Sequence, residues 1–255
     1  MGAPLGDAMT GAKERPILFS APMVRAILEG RKTVTRRAVK GWQQPQIEDD
    51  GLWFAVAQRH PRWGFGVSGD DAKACGAELA RSGCCPYGRP GDRLWVRETF
   101  ALLGNEDGCC IDWHDNLVKG DERDAARIYR ASCPPDDYGL NQIPPKAEWK
   151  PDTEAMEYDG AWRPGIHMPR WASRILLEIA DVRVERLQDI TGDQAEAEGV
   201  DAAMCQIYLE SSPSRFECRE AVIHGFAGLW ESINGAGAWD ANPWVWVVEF
   251  KRVMP

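Results

Sequence analysis

Apolar and polar positions along this chain alternate in short, well-formed blocks separated by long stretches with no period. Pro16 to Ser20 is a short apolar run and predicts a first strand. Pro22 then opens a helix in which Met23, Val24, Ile27 and Leu28 recur at helical spacing, and Gly30 stops it. Beyond Gly30, Lys32-Thr33-Val34-Thr35 returns to β-branched residues at period two. In a strand, Thr33, Thr35 and Arg37 share one face and Val34 turns to the core.

A second block, Pro90 to Phe100, reads as a turn feeding a strand with Leu94 and Val96 on one side and Trp95 and Arg97 on the other. Ser173 to Leu187 alternates over a longer span, with Ile175, Leu177 and Ile179 sharing a face. Asp189 to Val200 is a short helix: Thr191 and Gln194 form a capping-box pattern and Gly199 ends it. Phe216 to Ile233 is a longer amphipathic helix. Pro243 to Val253 closes the chain as a strand, with Val245, Val247 and Glu249 opposite Trp244, Trp246, Val248 and Phe250.

Between these blocks lie two insertions, 41–89 and 103–164, rich in Gly, Pro and charge. The second holds one strand, Ala126 to Ala131, among Pro-rich segments such as Cys133-Pro134-Pro135 and Pro144-Pro145. Several short strands with few helices predict an α+β fold, a small mixed barrel with flanking helices, whose closure removes exposed sheet edges. The domain reading is a loose leader at 1–14 and a single domain over 15–255.

With 255 residues, 27% charged and 44% hydrophobic, the chain has the composition of an ordinary soluble globular protein. No apolar run is long enough to span a membrane, and the first residues lack the apolar core of a signal peptide, so a cytoplasmic protein is expected. The eight cysteines include the adjacent pairs Cys84-Cys85 and Cys109-Cys110 but no CxxC, which favours free buried thiols over zinc or disulfides. Cys84, Cys85, Cys133 and His167 are the residues to watch for a metal. No cofactor is expected.

The net charge is −9, yet Arg25, Arg31, Lys32, Arg36, Arg37 and Lys40 cluster with few intervening acids. Such a local reversal of charge points to an anion, such as a phosphate. Glu98, just past a strand, and His167 are further candidates for a pocket. Trp42, Trp53, Trp63 and Trp113, inside the insertions, are candidates for stacking on bases, whereas Trp95, Trp171, Trp230, Trp244 and Trp246 read as core.

In order along the chain, Gly30-Arg31-Lys32-Thr33-Val34-Thr35-Arg36, Pro90-Gly91-Asp92-Arg93-Leu94-Trp95-Val96, a long strand pair, an acidic short helix and a final apolar strand resemble the ASCH domain family of PUA-like β-barrels. Cys85-Pro86-Tyr87-Gly88, Ile166-His167-Met168-Pro169-Arg170 and Asn242-Pro243-Trp244-Val245-Trp246 resemble its longer members, commonly encoded by phages and prophages. The resemblance implies binding of RNA or of a modified nucleoside or nucleotide. One small member is an N4-acetylcytidine amidohydrolase with a catalytic lysine, threonine and glutamate, which fall here on Lys32, Thr35 and Glu198.

On that reading Thr35 is the nucleophile and Lys32 the base that activates it, its pKa lowered by Arg31, Arg36 and Arg37. Glu198, at a helix C-terminus, is the proton donor to the leaving amine. Arg31, Thr33, Arg36, Arg37, Glu98 and His167 are the proposed binding residues. Each has a plain structural alternative: a lysine on helix carbonyls, a strand threonine, a solvated glutamate, a satisfied histidine. A non-catalytic RNA-binding module and a ribonuclease are the competing functions.

Overall fold

The computed structural model describes residues 11–60, 64–105, 107, 109–133, 162–200 and 218–254. It is a mixed α+β structure. Its main sheet contains β1 (Glu14–Leu18), β2 (Val34–Ala38), β6 (Arg93–Arg97), β9 (Leu176–Arg186) and β10 (Trp244–Val253), in the order β1-β6-β9-β10-β2. β1 runs parallel to β6, and the other pairs are antiparallel. Helix α1 (Ala21–Leu28) joins the two edge strands, β1 and β2.

The central strand β10 explains why the end of the chain is so apolar. Val245 and Val247 face one buried cluster with Leu187, Ile190, Ala195, Phe226 and Trp230, while Trp244, Trp246, Val248 and Phe250 face another with Ile17, Val24, Leu94 and Leu177. A strand covered on both faces needs apolar residues at both parities. The first cluster is capped by α3 (Gly192–Ala197) and α4 (Cys218–Asn234), the second by α1 and α2 (Ala72–Arg81).

The ladder does not close into a barrel. Among the described residues β1 and β2 do not pair. The buried face of α1 includes Met23, Val24 and Ile27, which pack into the main core, and the Arg37 guanidinium donates to Leu18 O at 2.8 Å. Among the described residues β2 is an edge strand.

The described residues of segment 41–89 are structured, unlike the irregular insertion expected. β3 (Gln46–Ile47), β4 (Trp53–Val56) and β5 (Gly66–Gly69) form a small antiparallel sheet, and α2 follows, its N-cap Asp71 accepting from Ala74 N at 2.7 Å. Cys75 and Leu79 of α2 enter the main core. The helix was illegible because its buried positions are Cys, Gly and Leu rather than a run of large apolar residues. Gly76 permits the close approach, since a Cβ there meets Val184 O at 3.1 Å.

In the second insertion, β7 (Phe100–Leu102) pairs with β8 (Arg127–Tyr129), inside the strand expected at 126–131. Pro144-Pro145 and most of the leader fall outside the described residues. The other blocks form close to their expected bounds, and the capping box of Thr191 and Gln194 is present. No helix among the described residues is long and apolar enough to cross a membrane.

Candidate functional site

Lys32 sits in the turn between α1 and β2, and three backbone contacts fix that turn. Gly30 takes φ +78°, the N–H groups of Arg31 and Lys32 both donate to Ala26 O, and Thr33 N donates to Ala197 O at the end of α3. The turn is thereby bound to the helix that carries Glu198. Gly199, at φ +88°, ends α3 where a Cβ would lie 2.9 Å from Ala26 Cβ and 3.1 Å from Lys32 Cβ. Glycine is what allows the two segments to approach.

The consequence is a buried ion cluster. Lys32 Nζ donates to Glu198 Oε2 and to Glu198 O, both at 2.7 Å, and the two side chains are 2% and 4% exposed. Arg36, whose side chain is fully buried, places Nη1 3.4 Å from Glu198 Oε1 and Nη2 2.9 Å from Gln194 Oε1. Its Nη2 also lies 3.5 Å from Glu185 Oε2. Gln194 holds Arg36 while its Oε1 accepts from Thr191 N, so the capping box and the ion cluster share one amide.

Burial pushes the Lys32 pKa below the usual lysine range. Glu198 opposes that shift, and Arg37 and Arg36 add to it. The expected lowering is therefore present, but its first cause is desolvation. Arg31 takes no part in it, because its guanidinium turns outward to Glu29 and reaches Gly199 O.

A pocket with about 60 Å³ of solvent-accessible volume opens beside this cluster, lined by Phe19, Met23, Lys32, Thr35, Arg36, Arg37, Glu198, Phe226, Leu229 and Trp230, among others. In register with β10, Thr35 and Arg37 lie opposite Val248 and Trp246, while Val34 and Arg36 lie opposite Glu249 and Val247. Thr35 and Arg36 belong to opposite faces of β2, an edge strand among the described residues, and both line this pocket. Thr35 is buried, and its hydroxyl has no hydrogen-bond partner among the described residues. Lys32 Nζ and the Arg37 guanidinium lie 5.6 and 5.3 Å from the Phe19 ring centroid.

The structure thus gathers Lys32, Thr35, Arg36, Arg37 and Glu198 and leaves out the other candidates. Thr33 is exposed, spending its backbone on Ala197 and Phe250. Glu98 is buried elsewhere, clamped by Arg174 at 2.9 and 3.0 Å, with that guanidinium 4.0 Å from the Tyr129 ring centroid. His167 is exposed in a short 3-10 turn, Gly165–His167. Asp92 organises its turn, accepting from Lys13 N, Arg15 Nη1 and Arg89 N.

Of the six clustered cations, Lys32 and Arg36 are internal and paired with Glu198, whereas Arg31 and Lys40 are exposed and Arg25 and Arg37 half-buried. Trp53 packs edge-on against Trp244, Trp42 lies beneath Lys40, and Trp113 is exposed; Trp63 is outside the described residues. Cys75, Cys84 and Cys85 are buried free thiols and Cys133 is buried, and burial holds the Cys85 thiol up at about 11, protonated at neutral pH. Among the described residues no three His, Cys, Asp or Glu side chains converge as metal ligands.

Trp230 is the pocket residue that sequence reasoning assigns to the core. On an amphipathic helix a tryptophan at a core position carries no sign that its edge borders a cavity. Its Nε1 is buried without a hydrogen-bond partner among the described residues, as is Arg36 Nε. Comparison of the chain with protein-family models, with curated proteins and with solved structures gives no match.

Proposed function

We propose that this protein is an ASCH-type, PUA-like amidohydrolase that removes the acyl group from an N4-acylated cytosine nucleoside. The observation that carries the reading is that the buried Lys32–Glu198 pair and Thr35 line one pocket. A lysine with a lowered pKa and a hydroxyl in one pocket are the groups that nucleophilic acyl transfer requires.

In the proposed reaction Thr35 Oγ1 attacks the acyl carbon while neutral Lys32 Nζ takes its proton. The carbonyl re-forms as the C–N4 bond breaks, and the Lys32 ammonium returns the proton to the departing amine. Water then hydrolyses the acyl-threonine, giving the carboxylic acid and restoring the hydroxyl. Glu198 accepts from both Lys32 and Arg36, so its role here is to hold and tune Lys32 rather than to protonate the leaving group. On this reading the acyl group and the exocyclic nitrogen enter the pocket and the sugar stays outside it.

Incubation with N4-acetylcytidine, followed by mass spectrometry, tests this. Cytidine and acetate should form, and Lys32→Ala should lower the rate by at least about 100-fold, the scale of a lost general base. No turnover, or turnover unchanged in that variant, contradicts the reading.

A further inference from the structure

Glu198 is one carboxylate facing two cations that are both shut away from water. Lys32 Nζ donates to its Oε2 at 2.7 Å and Arg36 Nη1 lies 3.4 Å from its Oε1, so these three groups alone carry a net positive charge into the protein. Buried charges are tolerated when they are paired, and a second carboxylate completes the count here. Glu185 Oε2 lies 3.5 Å from Arg36 Nη2. It arrives from the far side of the central strand: on β10, Arg36 stands opposite Val247 and Glu185 opposite Val245.

The Glu185 carboxylate is itself fixed. Its Oε1 accepts from Arg183 Nε at 2.9 Å, and Arg183 Nη1 donates to Asp181 Oδ2 at 2.7 Å and to Glu249 Oε1 at 2.6 Å. Its Oε2 is buried with no hydrogen-bond partner among the described residues, and the cation that faces it is Arg36. Gln194 Oε1 accepts from the same Nη2 at 2.9 Å. Two acceptors thus draw Arg36 away from Glu198, and of the two cation contacts on Glu198 the longer is the one to Arg36.

We propose that Glu185 is a positioning residue, the second counter-ion of this cluster, which holds Arg36 off Glu198 and so reserves the Glu198 carboxylate for Lys32. Its bearing on turnover rests on the amidohydrolase reading above; the charge arrangement does not. With Glu185 neutralised, Glu198 is the one carboxylate left within 4 Å of Arg36 among the described residues, and the guanidinium closes on it. Lys32 then shares its counter-charge and gains a nearer positive neighbour, and both effects lower its pKa. The charged groups around Lys32 are Glu198, Arg36 and Arg37; those around Glu185 are Arg36, Arg183 and, along the cleft beside α2, Lys73, Arg186 and Asp189.

The test is a pH titration by NMR of the full chain carrying lysine labelled with carbon-13 at Cε, the Lys32 signal being the one absent from Lys32→Arg. Glu185→Gln keeps the shape of a side chain that is 24% exposed, so the variant stays folded. It should lower the Lys32 midpoint by about one pH unit. Glu249→Gln removes the same charge from the far side of Arg183 and should leave the midpoint within about 0.3 unit, because that carboxylate is exposed and screened. A midpoint that Glu185→Gln leaves in place, or that Glu249→Gln moves as far, overturns the proposal. With N4-acetylcytidine as substrate, the midpoint of kcat/KM should fall alongside the NMR midpoint, and a kcat/KM midpoint that stays overturns the positioning role. Absence of turnover with the NMR shift present contradicts the amidohydrolase reading and leaves the charge arrangement standing.

Discussion

A lysine held away from water at 2% exposure needs a compensating charge, and Glu198 supplies it at 2.7 Å. The pair sets a direction for the pH dependence. Glu198 raises the Lys32 pKa against the effect of burial, so Glu198→Gln removes that support. If neutral Lys32 is the base, activity rises as pH passes through its pKa, and in Glu198→Gln the midpoint of that rise should move to lower pH. A pH–rate profile of kcat/KM checks this; a midpoint that stays or moves upward contradicts it. Glu198→Ala should also cost about 3–5 kcal/mol of stability by leaving Lys32 and Arg36 buried beside no counter-charge, as denaturant unfolding would register. Lys32, Thr35 and Glu198 were legible as a set only through the order of blocks in which they fall. The burial of Arg36 and the orphaned edge of Trp230 were not, because arginines are mostly exposed and helix tryptophans mostly core.

The elements place these residues through a few local devices. The capping box of α3 was legible at its three-residue spacing, and it does more than begin a helix, because Gln194 also anchors Arg36. Gly199 was legible as a helix stop, but its close approach to Ala26 and Lys32 depends on tertiary packing that no local pattern contains. Gly199→Ala should therefore destabilise by about 1–3 kcal/mol, combining left-handed strain with the contact on the Lys32 turn. Thermal unfolding should show a lowered Tm, and an unchanged Tm contradicts the packing account. Glu98 makes the contrasting case. Its clamp by Arg174 is structural, so Glu98→Gln should lower stability while leaving KM for N4-acetylcytidine unchanged, a split that steady-state kinetics beside a melt would reveal.

At the scale of the whole molecule, the sheet stays open where closure was expected. Among the described residues β1 and β2 are the two unpaired edges of the sheet, and residues from both faces of β2, Thr35 and Arg36, line one pocket. Strand order cannot be read from one chain's periodicity, since each strand shows only which of its faces is apolar. The small sheet and α2 in 41–89 were missed for a related reason: their strands are two to four residues long. The fold also bears on the competing RNA-binding function. With net charge −9 and with Lys32 and Arg36 internal, Arg25, Arg31, Arg37 and Lys40 are what the cluster leaves to meet a phosphate backbone. A gel shift against single-stranded and structured RNA should show weak binding with a shallow salt dependence; tight binding that falls steeply with salt would favour the RNA-binding module.

The central claim is that Thr35 carries the acyl group during turnover. Rapid acid quench of the Glu198→Gln or wild-type protein with N4-acetylcytidine, followed by proteolysis and mass spectrometry, addresses it directly. The account predicts one acetyl mass on the peptide containing Thr35, absent in Thr35→Ala. Deacylation in which Thr35→Ala keeps the wild-type rate and no acetyl mass appears on that peptide would contradict it.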